Sequence, residues 1–294
     1  MNMKIIFFSK TLKSLDVNGL IAAGERLGLE GWDLAVRPGY TVNPDNVQEA
    51  LPAAAHKLSA AGQPVLNATG NFDVLWPDGP TVRPLLKGMA DAGVPLLKLG
   101  YFVIDPDKQD YWQEVAHIRQ ALKGWEALGR EYGVRIAYHT HSGMGQMGLN
   151  CAALMHLLQG CDPQYIGAYI DPGHMLINGE PFAFGLAMVK PYLAMVGLKD
   201  YKPHLHTGEV DGSLTWECVL AGQGGVPWRT VLAGLAKIDF QGPCSVHAEF
   251  EAPRHAPHLF LEMARADVTY FKQLRDAAVA DHAGTNSSTL RSGA

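Results

Sequence analysis

Short apolar runs alternate along the chain with longer stretches whose apolar positions recur every three to four residues, the signatures of buried strands and amphipathic helices. The runs predict strands at Lys4–Ser9, Gly31–Val36, Pro64–Ala68, Pro95–Gly100, Val134–His139, Leu193–Lys199 and Pro243–Glu249. One more strand lies in Tyr165–His174, where a run of β-formers ends in Asp171 and breaks through Pro172 and Gly173. Helical spacing predicts Val17–Leu27, Pro44–Ala61, Thr81–Ala92, Tyr111–Tyr132, Asn150–Leu158, Pro181–Val189, a helix opening at Pro227, and a last one over Pro257–Leu274. Asp16 reads as an N-cap, Gly28, Gly93 and Gly133 as helix stops, and Pro44 as a first-turn proline.

These strands recur about every thirty residues, each followed by a helix, which is the period of an α/β (β/α)₈ TIM barrel. A doubly wound sheet would carry a Gly-rich phosphate turn, and no GxGxxG follows the first strand. Residues 1–280 are therefore read as a single TIM-barrel domain, and 281–294, without apolar periodicity, as a disordered C-terminal tail. Tyr201–Gly225, Gly-rich, polar and without a clear period, is long for a connection and reads as a lid.

Composition changes the picture in three ways. A net charge of −5 and a pI near 6.2 give no nucleic-acid footprint. No segment approaches the apolar length of a membrane span, and the N-terminal apolar run is too short for a signal peptide. The 4 cysteines form no CxxC pair, so reduced thiols and a cytoplasmic setting are expected.

In barrel enzymes the chemistry sits at the C-terminal strand ends. Of the 12 histidines, His139, His141, His174 and His247 fall at or just past strand ends, and His204 and His206 in the long connection. Residues two apart on a strand share a face, so His139 pairs with His141, Gly197 with Lys199, and His247 with Glu249. With Asp171 they bring imidazoles, carboxylates and one amine to the barrel mouth. Imidazole and carboxylate are also ligands of a catalytic divalent metal (Mn, Mg, Zn or Co), with Asp171, His139 and His247 as the candidate set. Asp171 could equally be only a turn cap. Arg37 is either a fork for a carboxylate or phosphate or a surface ion pair. Lys98 and Lys199 both lie at strand ends, and Lys199, followed by Asp200 and the long connection, is the stronger functional candidate. Trp216 could stack on a sugar face.

At these strand ends the chain resembles the sugar phosphate isomerase/epimerase family, the xylose isomerase-like barrels, over nearly its whole length. The matching pieces are GLEGWDLAVRPG, YIDPGHM, VGLKDY, LAGQGGVPW and QGPCSVHAEFE, in that order and spacing. The resemblance implies one divalent metal held by Glu, Asp, His and Glu from strands five to eight, and proton movement beside a sugar carbonyl. Asp171 matches the strand-six ligand and His174 the substrate-contacting histidine beside it. His139 stands where the first Glu is expected. Gly197-Leu198-Lys199-Asp200 replaces His-x-Lys-Asp, and the last Glu falls on His247, or on Glu249 if the register slips by two.

The expected function is proton transfer next to a carbonyl of a small carbohydrate or keto-sugar, by an isomerase, an epimerase or a lyase. Glu249, His174, Lys199 and His141 are the expected catalytic groups, with Arg37, His206 and Trp216 contacting substrate. Either an altered metal cage or, in a metal-free form, protonated His and Lys199 stabilise the developing oxyanion. The alternative is a catalytically silent barrel that binds a sugar or a partner. An endonuclease relative would need more metal ligands and a basic groove. The expected partner is a small-molecule carbohydrate, with no nucleic acid and no membrane, and a homo-oligomer is left open.

Overall fold

A computed structural model describes residues 3–70, 74–207, 213–250, 256 and 258–291. Among the described residues there are ten strands: β1 (Ile5–Phe8), β2 (Trp32–Ala35), β3 (Val65–Thr69), β4 (Leu96–Lys98), β5 (Arg135–His139), β6 (Ile166–Ile170), β7 (Leu193–Leu198), β8 (Asp200–His206), β9 (Ser213–Val219) and β10 (Cys244–Val246). Eight of them close into a parallel barrel in the order β1-β10-β7-β6-β5-β4-β3-β2, and each falls within or against a strand that the apolar runs predict. The chain is thus an α/β TIM barrel.

The helices are α1 (Val17–Leu27), α2 (Val47–Ala60), α3 (Val82–Ala92), α4 (Tyr111–Tyr132), α5 (Cys151–Leu158), α6 (Pro172–Ile177), α7 (Phe182–Val189), α8 (Trp228–Lys237) and α9 (Leu259–Arg291). Asp16 caps α1 by accepting from the Gly19 N–H, and Gly28, Gly93 and Gly133 end their helices at φ of +67°, +66° and +69°. Only a residue without a Cβ enters that region at little cost.

Strand alternation builds two apolar layers. Ile5 and Phe7 face the large shell between strands and helices, whereas Ile6 belongs to a small separate cluster with Leu96, Ala137, Tyr169, Ala194 and Met195, all strand residues. That second cluster fills the barrel. A buried polar group joins β2, β3 and β10: Asp33 accepts from Asn67 Nδ2 at 2.7 Å, Thr69 Oγ1 at 2.6 Å and Ser245 Oγ at 2.9 Å.

Four features depart from the sequence reading. The lid expected over Tyr201–Gly225 contains the antiparallel hairpin β8–β9, paired from Asp200↔Val219 to His206↔Ser213, with residues 208–212 outside the described ones. Asp200 fastens its base, because its carboxylate accepts from the backbone N–H groups of Gly222, Gly224 and Val226 and from Trp228 Nε1. The short helix α6 follows β6 directly. Pro44 precedes α2 by a few residues and is not in its first turn. The last helix is expected at Pro257–Leu274; Pro257 lies outside the described residues, and α9 continues to Arg291. No helix among the described residues is long and apolar enough to cross a membrane.

Candidate active site

A cavity of about 360 Å³ opens at the C-terminal ends of the strands. Each part of the barrel sends a polar group to it: Lys10 after β1, Arg37 after β2, Lys98 at the end of β4, His139 and His141 from β5 onward, Lys199 after β7, and His247 and Glu249 after β10.

Asp171 lies beneath this cavity, fully buried. Its two oxygens are used differently. Oδ1 caps α6, accepting from the N–H groups of Gly173 at 2.8 Å and His174 at 3.2 Å. Oδ2 has no hydrogen-bond partner among the described residues and faces Lys199 Nζ at 3.5 Å, His139 Nε2 at 3.5 Å and His174 Nε2 at 4.0 Å. Burial works to raise the Asp171 pKa, but Lys199, His174 and His139 outweigh it and hold the carboxyl well below its usual range. Burial likewise works against the Lys199 ammonium, yet Asp171 and Glu249 hold its pKa well above the usual lysine value. The pair is therefore ionic at neutral pH.

Lys199 Nζ also donates to Glu249 Oε2 at 3.1 Å, and Lys10 Nζ donates to Glu249 Oε1 at 2.5 Å. Burial raises the Glu249 pKa, but Lys199, His247 and Lys10 carry it well below the normal carboxylate value. Alternating charges thus run Asp171, Lys199, Glu249, Lys10 from the buried layer to the rim.

The histidines form a neutral wall. Burial pushes the pKa values of His139 and His174 well down, against the pull of Asp171. His139 Nδ1 meets the Tyr101 hydroxyl at 2.8 Å, and its ring stacks on Tyr169 at 4.1 Å. His174 Nδ1 meets Ser142 Oγ at 2.7 Å, and its ring lies 4.0 Å from that of His141. His141 Nδ1 is 2.7 Å from the Ser142 carbonyl, which can only accept, so Nδ1 carries the proton and Nε2 the lone pair. Burial, then Lys199, push the His141 pKa down to about 4.

The expected metal set does not assemble. The open oxygen of Asp171 faces the Lys199 ammonium, and His247 Nε2 is bonded to the Tyr169 hydroxyl at 2.7 Å and lies toward Asp33 at 3.8 Å. Gly197 offers no ligand. Among the described residues no group of three His, Cys, Asp or Glu is placed to hold a metal ion. A divalent metal does not fit these residues as they stand, because an ammonium already occupies the face of Asp171 that a cation would use.

Eight of the ten expected site residues gather at or directly beneath the cavity: Glu249, Lys199, His141, His139, His247, Arg37, Asp171 and His174. His206 and Trp216 do not line it. Both sit on the hairpin, where His206 Nε2 meets Thr215 Oγ1 at 2.8 Å and Trp216 pairs with Pro203. Lys10, Tyr101 and the Asp33 layer are site groups that the sequence reading misses. The position of Lys10, two residues past β1, is the one signal that could find any of them.

A family model for the xylose isomerase-like TIM barrel matches residues 22–266. An inosose dehydratase of Mesomycoplasma hyopneumoniae (strain 7448) is 24% identical over 170 residues, 55% of this chain and 55% of that protein. The inosose dehydratase of Bacillus thuringiensis (strain Al Hakam) is 25% identical over 164 residues, 53% of each. The chain spans about half the length of the curated relatives it matches. Among solved structures, a 3-keto-D-glucoside 4-epimerase from E. coli aligns with a TM-score of 0.71 at 15% identity, covering 92% of this chain and 100% of that one. The D-psicose 3-epimerase of Clostridium cellulolyticum H10 aligns at 0.68 and 13% identity, covering 93% and 99%. At such identities the likeness is one of fold.

Proposed function

The chain belongs to the xylose isomerase-like TIM-barrel family, and we propose that it is an isomerase- or epimerase-like enzyme that moves a proton beside the carbonyl of a small carbohydrate or keto-sugar. Residues 1–280 act in this reading as one catalytic domain. The observation that carries it is the Asp171–Lys199–Glu249 array in a cavity of sugar size. The inosose dehydratases and sugar epimerases it resembles support the substrate class.

Abstraction of a proton next to a carbonyl needs a base and a group that stabilises the developing oxyanion. Lys199 supplies the second: its ammonium is pre-charged by two carboxylates and donates to the carbonyl oxygen as negative charge builds there. Asp171 holds that ammonium from below, already oriented by the cap it forms on α6. His141 supplies the base, neutral at neutral pH with its Nε2 lone pair open. His174 backs its ring. Glu249, held ionised between two lysines, keeps Lys199 aimed at the cavity and takes protons only when the substrate oxygen draws Lys199 away.

The test is solvent isotope exchange. Keto-pentoses and keto-hexoses, offered free, as phosphate esters and as keto-sugar acids, are incubated with enzyme in D₂O, and at least one class should acquire deuterium next to the carbonyl, seen by NMR. Lys199→Met should abolish exchange, and Asp171→Asn should slow it by at least about a hundredfold, the scale of one lost oxyanion donor. Absence of exchange with every keto-sugar offered, or full exchange by Lys199→Met, would overturn the reading.

A further inference from the structure

We propose that the substrate carries an anionic substituent, a carboxylate or a phosphate ester, held by Arg37 and Lys98 across the barrel mouth from Lys199. This rests on the sugar-enzyme reading above and adds the chemical class of the substrate.

The barrel order places β3 opposite β7, so the β2–β3–β4 ends face the strand that delivers Lys199. Gly70 ties this edge together. Arg37 Nε donates to its carbonyl at 3.2 Å, and its own N–H donates to the Lys98 carbonyl at 3.1 Å. The Arg37 guanidinium lies 5.2 Å from the Phe8 ring centroid. Its Nε is spent on Gly70, and its terminal nitrogens meet no acceptor among the described residues, which leaves a planar fork free.

Lys98 is 4% exposed, and its Nζ lies 3.7 Å from the Tyr101 ring centroid. No carboxylate among the described residues pairs with it. A buried ammonium in that state is costly unless a negative charge arrives. Four basic side chains (Lys10, Arg37, Lys98 and Lys199) line the cavity, against one described carboxylate, Glu249, which is already shared by two of them. Burial and then the Arg37 charge hold the Lys98 pKa well below its usual range, outweighing the pull of Asp33, and an anion between Lys98 and Arg37 adds to that pull and favours the ammonium.

Isothermal titration of the full chain with inorganic phosphate, with glycerate and with neutral glycerol tests the site. One or both anions should bind, glycerol should not, and affinity should fall as salt rises. Tighter binding of phosphate assigns a phosphate ester, and tighter binding of glycerate a carboxylate. Arg37→Gln and Lys98→Met should each weaken anion binding about tenfold or more, and Arg37→Lys should also weaken it because the fork is lost. Arg37 is half-buried, so its variants remain informative if Lys98→Met unfolds. Equal binding of glycerol and the anions, or unchanged anion affinity in Arg37→Gln, overturns the site. Anion binding without isotope exchange overturns the proposed reaction alone, and exchange of neutral keto-sugars with no anion preference overturns the anionic substrate alone.

Discussion

A Cβ at Gly197 would stand 2.8 Å from Oδ2 of Asp171. The family resemblance implies a metal-binding histidine at this position, and this geometry leaves no room for one. The Asp171 carboxylate occupies the space that any side chain on residue 197 would need, and from there it reaches Lys199. Gly197→Ala should therefore push Asp171 off its present position. The expected loss is about 1–3 kcal/mol, as for other overpacked cores, read from urea denaturation. Wild-type stability would mean that Asp171 can move without penalty, and the account of the site would fail.

Acid should destabilise the fold in two stages. His139 and His174 are neutral when folded, their pKa values depressed chiefly by burial. An unfolded histidine takes up a proton near pH 6.5, so below that value the unfolded chain binds more protons and stability falls. Asp171 adds a later loss. Its contribution is present above the unfolded carboxylate value and disappears as pH drops from there through its lower folded pKa. Asp267 runs the other way over part of this range, so the measurement uses Asp267→Asn as its background. Urea midpoints of that variant from pH 8 to pH 3 should show the first decline setting in around pH 6.5, and a midpoint flat from pH 8 to pH 5 would contradict the neutral histidine wall.

Asp267 should behave in the opposite sense. Burial, followed by the charge of Asp200, raises its pKa to about 7, although it accepts from the Ala221 N–H at 2.9 Å. A carboxyl that ionises later in the folded state favours folding at low pH, and this advantage is lost as pH rises from about 4 to about 7. Asn keeps an acceptor for Ala221 and cannot ionise. Asp267→Asn should thus gain stability relative to wild type as pH goes from 5 to 8, measured by thermal unfolding. A difference that does not change with pH would refute the raised value.

The barrel is legible in the sequence because each strand is a short apolar run with its helix stop or turn beside it. These are local signals, and Gly28, Gly93 and Gly133 punctuate them in the left-handed conformation that they predict. For Asp171 the sequence leaves open a cap or a site group, and the structure makes it both, one oxygen for each. The metal set is a fair inference from ligand types, but ligand direction depends on remote partners. Tyr169, far from His247 in sequence, takes the Nε2 that a metal would need. The hairpin does carry alternation, Tyr201, Pro203 and Leu205 in β8 against Leu214, Trp216 and Cys218 in β9, but a proline interrupts the first run and both strands are largely exposed, so the segment reads as a loop. His206 and Trp216 look like substrate contacts for the same reason. Lys98 looks weaker than Lys199 because nothing in the sequence says that it is buried without an ion-paired carboxylate among the described residues while Lys199 has two.

The base assigned to His141 has a signature in the pH profile. Its pKa of about 4, set by burial and then by Lys199, leaves it neutral and able to accept a proton at pH 7. kcat/KM should stay level from neutral pH downward and fall only as the pH nears 4, over whatever range the fold survives. Lys199 depresses this value by opposing a second positive charge beside it. Lys199→Gln removes that opposition, so any residual activity should show its acid limb shifted to higher pH. The shift separates a base beside Lys199 from a merely structural histidine, since His141→Asn, which cannot titrate, should lose the limb together with most of the rate. An acid limb that stays in place in Lys199→Gln would assign the base elsewhere, with Glu249 the first residue to test by Glu249→Gln.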